Sequence, residues 1–60
     1  MKLKEAKEKA RIESLNGYVQ HVNIAGKWVN KSEGKTELDY KVSDWFCDST
    51  VASYENGKEL

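Results

Sequence analysis

The sequence predicts a small α+β domain, one N-terminal helix packed on an antiparallel sheet of three to four strands. Three observations lead there. Residues 2–15 are almost all strong helix formers. From Tyr18 onward, β-branched and aromatic residues alternate with polar ones. Between the two regimes stands Asn16-Gly17, a pair suited to ending a helix in the left-handed conformation.

The helix is expected over about residues 2–15. Glu5 and Lys9 have the favourable order at i,i+4, and Lys4–Glu8 and Lys9–Glu13 add opposite-charge neighbours. At 100° per residue, Leu3, Ala6, Ala10 and Ser14 form one stripe, while Ile12 and Leu15 fall nearly opposite. The inward stripe is therefore thin and made of small residues. It permits close approach to a sheet but buries little area.

Strands are expected at about 18–24, 27–31, 36–43 and 50–55. In the first, Tyr18, Gln20, Val22 and Ile24 share a face, and its apolar content points it toward the helix. Ala25-Gly26 reads as a turn or bulge before a short strand at Lys27–Lys31. Lys31–Gly34 reads as the turn of a hairpin that joins Trp28-Val29 to Leu38–Val42. Residues 36–43 alternate most cleanly, with Leu38, Tyr40 and Val42 on one side. Asp44–Ser49 reads as a hairpin loop before the last strand, which Asn56-Gly57 ends. No repeat, low-complexity segment or linker interrupts the sixty residues, so one domain is expected.

Composition narrows the function classes. A chain of this length buries only about 60% of the surface its unfolded form exposes, and such chains often find further burial in a copy of themselves or in a partner. One Cys rules out an internal disulfide and suits a reducing compartment, so a cytoplasmic protein is expected. The longest apolar run is Trp45-Phe46-Cys47, far too short to span a membrane. With one Cys and one His, a closed zinc site of Cys and His ligands cannot form within one chain. No cofactor motif and no metal-ligand spacing occurs. His21 lacks a positioned catalytic partner in sequence, so the chain reads as a non-enzyme.

Net charge is zero, yet residues 1–35 carry eight Lys/Arg against four Glu, and residues 36–60 carry two Lys against six Asp/Glu. The simplest expectation is that these halves attract each other within one fold; the alternatives are head-to-tail pairing between copies, or two faces of opposite sign.

The densest apolar segment is Asp44-Trp45-Phe46-Cys47-Asp48, which holds the only Phe, the only Cys and one of the two Trp. Trp45 and Phe46 either close the end of the sheet or stand out as an anchor rimmed by Asp44 and Asp48. The second pattern is that of a protein-binding surface. The expectation is a small accessory or regulatory protein that binds a protein partner through Asp44, Trp45, Phe46 and Asp48. A homodimer seam made by this same loop, with Cys47 near its mate, is a further expectation. The alternative is a nucleic-acid module that uses sheet aromatics with Lys27, Lys31, Lys35 and Lys41, against which the absence of excess positive charge argues.

Overall fold

A computed structural model describes residues 1–60. Helix α1 spans Leu3–Ser14 and precedes four strands: β1 (Gln20–Asn30), β2 (Lys35–Ser43), β3 (Thr50–Glu55) and β4 (Lys58–Glu59). All pairings are antiparallel and the sheet order is β2-β1-β3-β4. The predicted class is the observed one.

The helix packs as its sequence requires. Ala6, Ala10 and Ser14 are fully buried, while Ile12 and Leu15 point to solvent. The small stripe lets the helix approach Val22 and Tyr54, and these two with Ala6 and Ala10 form the core. Tyr40, Val42 and Ala52 complete it from the flanking strands. Gly17, with φ of +90°, follows the helix end as expected.

Four features differ from the sequence expectation. The strands expected at 18–24 and 27–31 are one strand, eleven residues long, with a bulge between Ile24 and Gly26. Ala25 is the extra residue, so the chain kinks there without turning. Tyr18 lies outside the strand and is exposed, not packed on the helix. After β3 the chain does not stop at Asn56-Gly57. Both residues have positive φ, and they turn it into the short β4. This turn docks on the helix: the Gly57 N–H donates to Ser14 Oγ at 2.8 Å. A Cβ on Gly57 would sit 2.6 Å from Leu15 Cδ2.

The fourth difference positions the candidate site. β2 and β3 are not neighbours. Both run antiparallel to β1 and lie on either side of it, so they run parallel to each other. The segment 44–49 is therefore no hairpin loop. It crosses over β1, on the face of the sheet opposite the helix.

The resulting body is uneven. The lower half of β1 has β2 on one side, β3 on the other and the helix above. Its upper half, Gly26–Asn30, pairs only with Lys35–Asp39 of β2. This two-stranded arm projects from the body, and the molecule measures 42 × 20 × 14 Å. At the arm's base the Met1 carbonyl accepts the Tyr40 N–H, and the terminal amine pairs with the Asp39 carboxylate.

Candidate functional site

The crossover hangs on Asn23. This residue alternates with Val22, so its side chain points away from the helix, and it is nonetheless fully buried. Its amide nitrogen donates to Ser43 Oγ and to the Trp45 carbonyl, and its amide oxygen accepts from Thr50 Oγ1. These groups stand where β2 ends, where the crossover passes and where β3 begins. One amide thus ties three points of the chain together beneath the loop. Ser49 adds a rung, since its carbonyl accepts the Ile24 N–H at 3.1 Å. No buried side-chain polar atom is left without a partner.

With its backbone pinned, the crossover holds both aromatic rings outward. Trp45 is 56% exposed and Phe46 72%. They splay to opposite sides of Asn23. The Lys41 ammonium lies 5.4 Å from the Trp45 ring centre, within cation–π range. Phe46 meets the His21 ring edge-on, with centroids 5.7 Å apart, and Ser53 Oγ holds His21 Nδ1 at 2.7 Å. Asp44 and Asp48 are exposed at the two ends. The four residues singled out in sequence thus lie together on one solvent-facing crossover. Neither aromatic plugs the sheet, because Asn23 and its hydroxyl partners already occupy the space beneath.

Sequence reasoning missed Asn23, Ser43 and Thr50. Their only signal is a polar residue at the alternate position of a strand, which normally marks a solvated face. Trp28 also reaches this side. It pairs with Glu37, and the unbroken alternation of β2 puts Glu37 on the same face as Lys41 and Ser43. Trp28 is 61% exposed.

The remaining chemistry is limited. Cys47 Sγ lies 3.1 Å from Ser49 Oγ. That hydroxyl, then the Ser49 backbone, lowers the thiol below its ordinary value, with Thr50 and Lys41 adding to the effect. His21 and Cys47 engage different serines, so no thiol–imidazole pair forms. No three His, Cys, Asp or Glu side chains converge to hold a metal ion. No helix is long and apolar enough to cross a membrane.

The fold and site define a small α+β protein with an antiparallel sheet, one face under a helix and the other carrying an aromatic crossover. No protein-family model, curated protein or solved structure matches the chain.

Proposed function

We propose that this is a small accessory or regulatory protein that binds another protein through the Asp44–Ser49 crossover and catalyses no reaction. The observation that carries the reading is the pairing of a buried, fully bonded support with two outward aromatic rings. Rigid support lowers the ordering cost of binding, and Trp with Phe offers large apolar area at few rotatable bonds. Asp44 and Asp48 rim the anchor and favour a partner with basic residues at its edge. A cytoplasmic partner is consistent with the single free thiol.

The test compares wild type with the double variant W45A/F46A as bait in lysate of the source organism, with nuclease present. A specific protein retained by wild type and lost by a variant with unchanged circular dichroism supports the reading. Equal recovery on both baits places the binding surface elsewhere.

The position of Lys41 over Trp45, with Trp28 on the same face, favours a second reading, a single-stranded nucleic acid stacked on these rings. Zero net charge and the nearby carboxylates argue against it. Binding that disappears with nuclease and falls steeply with salt would select it.

A further inference from the structure

The arm leaves a notch. β3 covers β1 only as far as Thr50 opposite Asn23, and Ser49 adds Ile24. Beyond that point β1 has a bare edge from Ala25 to Asn30. The ladder fixes which groups are free. The Ile24 N–H points toward β3 and the Tyr40 N–H points away from β1, so their pair is not hydrogen-bonded to each other. Alternation past the bulge then turns the main-chain groups of Lys27 and Val29 into the notch, while Gly26, Trp28 and Asn30 bond to β2. An open edge of this kind is a template for another strand.

We propose that the notch is filled by the same edge of a second copy, in an antiparallel two-fold pairing centred on Trp28. Lys27 then faces Val29 of the second copy, and their exposed main-chain groups form four hydrogen bonds across the axis. Trp28 meets its own mate at the axis, in the close, non-hydrogen-bonded position where cross-strand aromatics interact best. Gly26 faces Asn30 of the second copy.

Charge selects this register. Sliding by two residues one way puts Lys27 against Lys27 of the second copy. Sliding the other way puts Lys27 against Lys31. A slide of one residue would turn the side chains to the wrong faces. Only the register centred on Trp28 keeps like charges apart at these positions. It also carries the Lys31–Gly34 turn of each arm to the other copy's crossover, with Lys31 approaching the end that bears Asp48. The excess of basic residues in the first half of the chain and of acidic residues in the second thereby meet between copies. Within one chain only two ion pairs join these halves, the terminal amine with Asp39 and Lys7 with Glu59.

Surface area supports added burial. A folded monomer of 6.9 kDa is expected to expose about 4,000 Å², and this chain exposes 4445 Å². The excess suits an arm whose Trp28, Val29 and Leu38 all face solvent. An isolated two-stranded ribbon is marginal, and pairing makes it four-stranded. The paired edge at residues 25–30 does not include Trp45 or Phe46, so the seam and the crossover surface share only the rim at Asp48.

Sedimentation equilibrium from about 1 μM to 1 mM tests it. The expected result is a concentration-dependent dimer that Val29→Pro weakens at least tenfold. That proline removes an N–H bonded only across the seam, so the monomer ladder with β2 keeps its bonds. In a Cys47→Ser background, W28C should oxidise to a covalent dimer and L38C, on the far edge of the arm, should not. If Val29→Pro fails to fold, amide exchange on wild type decides, with Lys27 and Val29 protected only at high concentration. A monomer throughout the range, as for an edge kept for an extended segment of another protein, overturns the proposal. So does a dimer that cross-links through residue 38 instead of residue 28.

Discussion

Val22 and Val29 lie in the same strand on the same, helix-facing side, yet Val22 is fully buried and Val29 is 66% exposed. The difference is in what surrounds the strand. Around Val22 the helix presents Ala6 and Ala10, β3 pairs on one side and β2 on the other. Around Val29 there is only β2. Sequence pattern assigns a residue to a face, but neighbouring elements decide whether that face is covered. Only seven residues of the chain are buried, and four of these are apolar. Stability therefore resides in the lower half of β1, and the upper half is free to serve contacts outside the monomer.

The contrast can be broken most severely at Asn23. Replacement by Leu removes three hydrogen bonds under the crossover, those of the Asn23 amide to Ser43, Thr50 and the Trp45 carbonyl, and leaves only the contact of Ser43 Oγ with the Trp45 carbonyl and the bond from the Cys47 N–H to Thr50 Oγ1. A loss of about 3 kcal/mol is expected, about 1 kcal/mol for each of the three buried hydrogen bonds, a large share of the stability of a domain this small. Urea unfolding followed by circular dichroism measures it.

The paired test of the two halves comes next. Val22→Ala should cost about 2 kcal/mol, and Val29→Ala less than about 0.5 kcal/mol, in the same assay at a concentration where the chain is monomeric. Equal losses would mean that the arm is as well packed as the body.

Gly57→Ala should cost roughly 1–2 kcal/mol, because φ of +80° strains any residue with a Cβ and that Cβ meets Leu15. The same substitution at Gly26, on the exposed arm with nothing within 4 Å of an added Cβ, should have little effect.

A smaller effect appears at alkaline pH. Burial, followed by the hydrogen bond to Glu59, raises the Tyr54 phenol above its ordinary value. A raised value in the fold means that its contribution is complete below the unfolded value of about 10. The contribution is lost as pH climbs from there through the folded value. Tyr54→Phe should flatten this part of the stability–pH curve.

Much of the fold was legible because it follows from short-range rules. The stripe of Ala6, Ala10 and Ser14 follows from helical periodicity, and the hairpin around Lys31–Gly34 follows from alternation around a turn. The errors have physical causes. Gly26 resembles a break because glycine weakens strands, but a bulge at Ala25 absorbs it. β4 is two residues long, below the length at which alternation can be seen. The strand order is not a local property, so a crossover over β1 was read as a hairpin loop. Asn23 sits at an alternate strand position, a pattern that normally marks a solvated face, and its burial depends on that crossover. The four residues of the candidate surface were identified from their unusual clustering, whereas the polar support that turns the rings outward was hidden by topology.

The Asn23 network, not Trp45 or Phe46, holds the crossover in place and leaves the rings free. The most direct test is the unfolding free energy of W45A/F46A beside wild type in urea. A loss below about 1 kcal/mol is predicted, the usual range for exposed positions. A loss of about 3 kcal/mol or more, the range for truncating a buried aromatic, would show that the rings are part of the core and would contradict the account.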